Sequence, residues 1–303
     1  MTADTVRPAH RQPPAPRQFG AGSIRRRRRK DRAMTVVLAV VMAVVVAVLV
    51  WVLGYVAAQG LKYLGPQFLT QTPPGNPSRF GGGFLNGIIG SLIVVGIATV
   101  ISVPIGIAAA VYITEYGGRM ARQASFLTDV LVGIPTIVTG AFVYAIVVVN
   151  FGFSGYAGGI ALGLIMLPLV IRATAEMLRL VPHELKEASL ALGVTQARTI
   201  WSIVLPTASS GIITGVMLAI ARAMGETAPL LLTALGNDLF IETNPSHRMS
   251  TLSLQIFGNA ITGFKAAINR AWAGALTLVA LVLIFTVIAR LVARRNPITR
   301  KSS

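Results

Sequence analysis

The sequence predicts an all-α polytopic membrane protein with six transmembrane helices, on the basis of its composition and its long apolar runs. Of its 303 residues, 54% are hydrophobic and only 12% are charged, and the mean hydropathy is +0.70. A soluble domain carries about 25% charged residues, so most of this surface must face something other than water. The uncharged runs must be helical, because lipid offers no partner to a bare backbone amide or carbonyl.

Six apolar runs follow one another along the chain, at 34–58, 84–113, 130–149, 156–171, 206–235 and 271–289. The first holds no charge over 25 residues, which as a helix is about 37 Å long. That length exceeds a hydrocarbon core of about 30 Å. It also exceeds the roughly 7 to 15 apolar residues of a signal peptide, so we expect an uncleaved first transmembrane helix.

The positive charge is distributed unevenly between the two sides of these spans. The chain has 27 Lys and Arg against 10 Asp and Glu, a net charge of +17. With six spans, 21 of the basic residues fall on one side and 5 on the other. Positive flanks resist translocation, so we expect a multi-pass cell-membrane protein with both termini in the cytoplasm. In a soluble protein, such an excess would indicate nucleic-acid binding. Here the membrane topology and contact with anionic lipid headgroups account for it.

The same pattern divides the chain into segments. We expect a basic, disordered cytoplasmic tail, a first transmembrane helix, an extracytoplasmic Pro/Gly-rich loop, a five-helix core and a cytoplasmic C-terminal tail, at 1–33, 34–58, 59–83, 84–290 and 291–303. Within the core, Gly211 and Gly215 are four residues apart, a spacing that lets helices pack closely in lipid. A surface helix is expected at 252–261.

Residue types that catalysis or cofactor binding needs are missing or scattered. There are three histidines and no cysteine, so neither a metal cluster nor a disulfide framework is expected. No lysine follows a glycine, which excludes a G-x-x-x-x-G-K-[ST] phosphate-binding loop. We therefore predict no enzyme activity and no cofactor, and any energy for transport must come from another subunit or a coupled ion.

The cytoplasmic loop 172–205 is the most informative stretch. Pro182 can begin a short helix, Glu187 follows near its positive end, and Gly193 can end it. A second short helix is expected at 196–204. Two interpretations fit: an amphipathic helix on the membrane surface, or a protruding helix that enters a groove on a soluble partner.

This loop carries the motif Glu187-Ala188-Ser189, Gly193, Ile203 and Leu205-Pro206. It resembles the EAA-x3-G-x9-I-x-LP loop of binding-protein-dependent ABC importer permeases, with Ser189 in place of the second Ala. The resemblance implies a type I ABC importer transmembrane domain. In that family the loop docks into a cleft of the ATPase subunit and transmits its closure to the spans. Its matching positions would be the coupling residues here: Glu187, Ala188, Ser189, Gly193, Leu205 and Pro206.

A charged pair, Arg222 and Glu226, lies in the fifth apolar run. An ion buried in hydrocarbon costs about 3 kcal/mol or more, so such residues face a cavity or a partner. The pair is either a self-neutralising structural contact, or Arg222 donates to a passing oxyanion while Glu226 limits how tightly it is held. Pro229 predicts a kink just beyond the pair.

The sequences of 221–234 and 251–256 resemble those of the PstA-type permeases of phosphate ABC importers. The resemblance extends over roughly 85–290. This resemblance implies phosphate as the substrate, with Arg222, Glu226 and Thr227 on its pathway. It also implies two PstB-like ATPase subunits, a homologous PstC-like permease and a PstS-like extracytoplasmic phosphate-binding protein as partners, besides membrane lipid.

Three other functions remain open from the residues themselves. One is an ABC permease for a different oxyanion, such as sulfate. Another is an ion-coupled secondary transporter in which Glu226 carries the proton. The third is a membrane scaffold without a transport role, for which substitutions at Arg222 would leave uptake unchanged.

Overall fold

The computed structural model describes the backbone of residues 21–294 and the side chains of 28–291. Within that part of the chain, the structure is helical and contains no strand. The helices are α1 (Ala21–Gly60), α2 (Pro66–Thr70), α3 (Leu85–Val111), α4 (Gly118–Gly133), α5 (Thr136–Val143), α6 (Val149–Phe151), α7 (Gly155–Arg179), α8 (His183–Ala191), α9 (Gln196–Thr199), α10 (Leu205–Met224), α11 (Ala228–Thr233), α12 (Leu252–Ala260) and α13 (Lys265–Arg294). Three π-helical turns extend α3, α5 and α9, at Tyr112–Tyr116, Tyr144–Val148 and Ile200–Val204.

Among the described residues, five helices are long and apolar enough to cross a membrane, and a bent pair makes six if it counts as one span. The five are Arg28–Gly60, Leu85–Tyr116, Gly155–Arg179, Gln196–Met224 and Lys265–Leu291. The pair is Gly118–Gly133 with Thr136–Phe151, bent by 103°. The all-α polytopic class that the sequence predicts is therefore confirmed.

The first helix begins earlier than the sequence suggests. Residues 21–33, expected to belong to a disordered tail, form the first turns of α1. Residues 1–20 of that expected tail, and 295–303 of the expected C-terminal tail, lie outside the described part of the chain. The chain divides into two compact units, 1–55 and 56–303. In the first unit, the apolar side chains of α1 cover its whole circumference, as in a helix surrounded by lipid.

In the second unit, α7 is the central helix and the most buried of the candidate spans. Leu162, Met166 and Val170 on α7 are fully buried in the main apolar core. A Cβ atom at Gly215 would collide with the Cβ of Ala173, so glycine lets α10 lie close against α7. The spacing of small residues thus predicted a packing contact correctly.

Hydrogen bonds join several segments at one end of this bundle. The backbone amide of Gly155, at the start of α7, donates to the carbonyl of His247 (2.9 Å). Asn86, at the start of α3, donates to the carbonyl of Asn237 (2.7 Å). This end, which also holds α12, is called the α12 end. The opposite end, where α3 finishes and α8 begins, is called the α8 end.

The third and fifth predicted spans are interrupted. The run 130–149 breaks at Ile134, which is extended (φ −75°, ψ 127°) because the following proline disfavours helical geometry there. In the run 206–235, α10 ends at Met224 and Gly225 caps it. Pro229 lies in the first turn of α11, where no amide donor is needed. The kink that Pro229 predicts is found as a break between two helices, at residues 225–227 just before the proline.

The predicted surface helix at 252–261 forms as α12, but its first turn is buried. Leu252 is 0% exposed and Gln255 is 1% exposed. The amide of Leu252 donates to Ser91 Oγ (2.8 Å), and Gln255 Nε2 donates to Asn86 Oδ1 (2.8 Å). These polar contacts with α3 draw the helix into the bundle, so its position on the surface is a prediction that the structure corrects.

Candidate functional site

A cavity of about 350 Å³ lies beside Arg222. Its walls are mostly apolar and come from α4, α5 and α7, including Leu131, Phe142, Ile165 and Pro168. The break between α4 and α5 lies at this cavity, since Ile134 is part of its lining. Such a concave, mainly apolar site with few polar groups is the usual form of a small-ligand site.

Arg222 is the charged residue of this cavity lining. It lies two residues before the end of α10, and its side chain is 59% exposed. Its Nε is 3.7 Å from Oε1 of Glu226, whose side chain is 16% exposed. The distance is within reach of an ion pair but beyond a hydrogen bond, so the guanidinium donors are not taken up by Glu226.

The structure separates the three residues that the sequence grouped on the pathway. Arg222 lines the cavity, whereas Glu226 and Thr227 follow the helix break and are not part of the lining. The carbonyl of Glu226 accepts from Ser253 Oγ (2.9 Å), which ties this segment to α12. The carbonyl of Thr227 accepts from the amides of Leu230 and Leu231 in α11.

Two threonines of the cavity were not singled out from the sequence. Thr136 and Thr139 both line it, one helical turn apart at the start of α5. Their hydroxyl groups can donate to an oxyanion near the Arg222 guanidinium. Pro135, which forces the break before them, was the signal in the sequence that could have indicated this surface.

A second cavity, of about 240 Å³, lies between α4 and α7. Its charged lining contains Asp129, Arg172, Glu176 and Arg179. Arg172 Nη2 donates to Asp129 Oδ1 at 2.6 Å, and both side chains are about half exposed. The two signs balance in this lining, so it lacks the excess positive charge that an anion site needs.

The segment that resembles the coupling loop is shorter than 172–205, because α7 continues to Arg179. It contains α8 and α9, as the proline and glycine signals predict. Pro182 precedes α8, and Gly193 follows it with φ +78°, a left-handed conformation that glycine adopts without strain. The second helix continues through Ile200–Val204 directly into α10.

The motif residues of α8 face two ways. Glu187 and Ala188 are exposed, whereas Ser189 is only 4% exposed. The Ser189 hydroxyl lies 2.8 Å from that of Thr199, so it joins α8 to α9 by a buried hydrogen bond. Gly193 is exposed, and Leu205 and Pro206 are half-buried in the first turn of α10.

Large apolar side chains surround the exposed motif residues at the α8 end. Leu180 and Trp201 are each 73% exposed, and Leu192 is 83% exposed. All three lie in or next to the segment that carries Glu187. Exposed apolar side chains at this position can contact lipid or a partner protein.

Comparison with known proteins identifies the class to which this architecture belongs. The family model described as binding-protein-dependent transport system inner membrane component matches residues 102–296. The chain belongs to this family of importer permeases.

Particular relatives are phosphate permeases. The phosphate transport system permease protein PstA of Yersinia pestis is 46% identical over 228 residues, which are 74% of this chain and 76% of the relative. The protein of the same name from Haemophilus influenzae is 43% identical over 77% of this chain and 83% of its own length.

Solved structures with the same fold are also ABC importers. A bacterial alginate ABC transporter in complex with its alginate-bound periplasmic protein has a TM-score of 0.63 at 14% identity, over 88% of this chain and 96% of that chain. The inward-facing MetNI methionine ABC transporter has a TM-score of 0.54 at 18% identity, over 70% and 93%. These likenesses support the type I ABC importer fold that the loop motif implies.

Proposed function

We propose that this chain is the permease subunit of an ATP-driven phosphate import system and forms half of the pathway for inorganic phosphate. The observation that carries this proposal is that the chain is 46% identical to a phosphate transport system permease over 74% of its length. The Arg222 cavity provides a chemical basis, since a guanidinium offers a fork of donors suited to phosphate oxygens.

Within the cavity, Arg222 binds the passing anion and Thr136 and Thr139 donate further hydrogen bonds. The 3.7 Å separation from Glu226 supports this role, because the pair is too loose to occupy the guanidinium. The nearby carboxylate keeps the site from holding phosphate too tightly, which transport requires. Thr227 belongs to the hinge between α10 and α11 that carries Glu226.

The coupling surface consists of Glu187, Ala188 and Gly193, with Ser189 holding α8 against α9. Leu205 and Pro206 begin α10 and carry the displacement of the loop into that span. A separate ATPase subunit hydrolyses ATP and receives α8 in a groove, and the chain itself performs no catalysis. The exposed apolar residues around α8 support a soluble partner there.

The full assembly contains two PstB-like ATPase subunits, a PstC-like second permease and a PstS-like extracytoplasmic phosphate-binding protein. Both termini and the α8 end face the cytoplasm, and the α12 end faces outward. The placement of 21 of the 27 basic residues on one side of the spans supports this orientation.

Uptake of radioactive phosphate into proteoliposomes that hold the purified complex tests this function. Uptake should require ATP and the ATPase subunit, and excess sulfate should not compete. Uptake that continues without ATP and stops with a protonophore would instead indicate a secondary transporter using Glu226. Strong competition by sulfate would indicate that the permease transports a different oxyanion.

A further inference from the structure

Helix α8 is tied to the bundle through one acidic residue, Glu115, in the π-helical turn that ends α3. Lys186 Nζ of α8 donates to Glu115 Oε1 at 2.7 Å. Gln196 Nε2 of α9 donates to the backbone carbonyl of Glu115 at 2.8 Å. Both short helices of the loop thus contact the same residue, and the three residues are called the Glu115 anchor.

The ion pair of the Glu115 anchor is unusually protected from water. The side chains of Lys186 and Glu115 are 18% and 7% exposed. In each of the other ion pairs within the described part of the chain, at least one side chain is about half exposed or more. Removing one partner of a pair that is this buried leaves an uncompensated charge, whereas an exposed pair contributes little.

Apart from this ion pair, α8 is held by short backbone links and by the buried hydrogen bond of Ser189 with Thr199 in α9. Residues 180–182 connect it to α7, and residues 192–195, which include Gly193, connect it to α9. Links of this kind can rotate about their backbone dihedrals. The Glu115 anchor adds a side-chain attachment to a third segment and so restricts the rotation of α8 against the bundle.

From Glu115, a packed route reaches the cavity. Helix α3 lies tightly along α7, where a Cβ atom at Gly106 would be 2.7 Å from Val170 Cγ1. Helix α7 in turn contributes Ile165 and Pro168 to the wall beside Arg222. Close packing of this kind couples the positions of α3 and α7, because a shift of one helix pushes against the other.

We propose that Lys186 and Glu115 are positioning residues that transmit displacement of α8 to α3 and so to the cavity wall. The inference rests on the proposed function, because only transport driven by a separate ATPase displaces α8. Loss of either residue uncouples ATP hydrolysis from phosphate transport, while the ATPase subunit and phosphate still bind.

The test measures ATP hydrolysed per phosphate transported by the complete complex in proteoliposomes. Lys186→Met and Glu115→Gln should each raise this ratio at least about fivefold, the low end of typical coupling between sites. The exchanged variant Glu115→Lys with Lys186→Glu should return the ratio toward that of the wild type. Lys62→Met, which removes an exposed lysine bonded only to Gln59 among its described contacts, is the matched control.

Single variants with the wild-type ratio, or an exchanged variant as uncoupled as the single ones, would overturn the inference. If the single variants do not assemble, Glu115→Cys with Lys186→Cys can be bridged by a bifunctional thiol reagent, since the chain has no cysteine. Bridging should restore the ratio, and an equal ratio with and without bridging contradicts the inference. A wild-type complex that moves no phosphate would contradict the proposed function instead.

Discussion

At the scale of single residues, the environment of Arg222 distinguishes the two interpretations of the charged pair. Its contact with Glu226 is 3.7 Å long, compared with 2.6 Å for the pair of Arg172 and Asp129. A pair that served only to neutralise two charges in lipid would be expected to be short and well hydrogen-bonded. The exposed guanidinium in the cavity therefore favours a role in binding the anion.

Arg222→Gln should reduce phosphate flux by about 10- to 100-fold, because a hydrogen bond to a charged group contributes roughly 1.5 to 3 kcal/mol. Arg222→Lys should recover only part of the flux, since lysine keeps the charge but not the fork of donors. Initial uptake rates in proteoliposomes check both variants. Normal flux in the double variant Arg222→Gln with Glu226→Gln would instead show that the pair is structural.

At the scale of elements, the helices are held together by close packing of small residues, since lipid leaves no hydrophobic effect between them. Gly211 lies against Met177, and Gly215 lies against Ala173, along the contact of α10 with α7. Helix α8 has the opposite character, because most of its side chains are exposed. We therefore expect a larger side chain to have different consequences in the contact of α10 with α7 and on the exposed face of α8.

Gly215→Val should destabilise the purified protein, because overpacking a tight contact costs about 1 to 3 kcal/mol. The expected result is a lower midpoint of thermal unfolding in detergent. Gly96→Val is the matched control, since no atom lies within 4 Å of a Cβ placed there. Equal midpoints for the two variants would count against the tight contact of α10 with α7.

Ala188→Glu should leave the fold intact but reduce phosphate uptake at least about tenfold, because an unpaired charge at an interface costs roughly 2 kcal/mol or more. Ala188 is exposed on α8, so the new side chain has room in the isolated chain. The ATPase rate and the uptake rate should both be measured, and the amount of ATP hydrolysed per phosphate transported should rise. The control is Ala260→Glu, at an exposed helical position at the α12 end, which should change neither the ATPase rate nor the uptake rate. Unchanged uptake in Ala188→Glu would show that α8 is not part of the coupling surface.

At the scale of the whole molecule, the two ends of the bundle face different compartments in the proposed orientation. Because the chain contains no cysteine, single cysteines report which end is outside. Leu192, at the α8 end, and Leu239, in the segment before α12, are 83% and 61% exposed.

Leu239→Cys should react with a membrane-impermeant maleimide added to intact cells, and Leu192→Cys should react only after the cells are opened. Labelling is read by gel electrophoresis of the purified protein. The reverse pattern would invert the topology and place α8 away from any cytoplasmic ATPase. Reaction of both positions after lysis is the control for their accessibility.

Much of this molecule was predictable from local pattern. Long uncharged apolar runs indicate the spans, and the proline and glycine around α8 determine its ends, because lipid and backbone geometry act on consecutive residues. The motif from Glu187 to Pro206 also indicated the family, which the comparisons confirmed.

Contacts between segments far apart in the chain were decided only by the tertiary structure. The sequence by itself determined the membrane class, the positions of most helices and the presence of a charged pair. It did not show that the first turn of α12 is buried, that Thr136 and Thr139 join Arg222 at one cavity, or that Glu115 meets Lys186. The hydrogen bonds between α12 and α3 join residues 161 and 169 positions apart, and Glu115 and Lys186 are 71 positions apart. No periodicity or spacing along the chain carries such information.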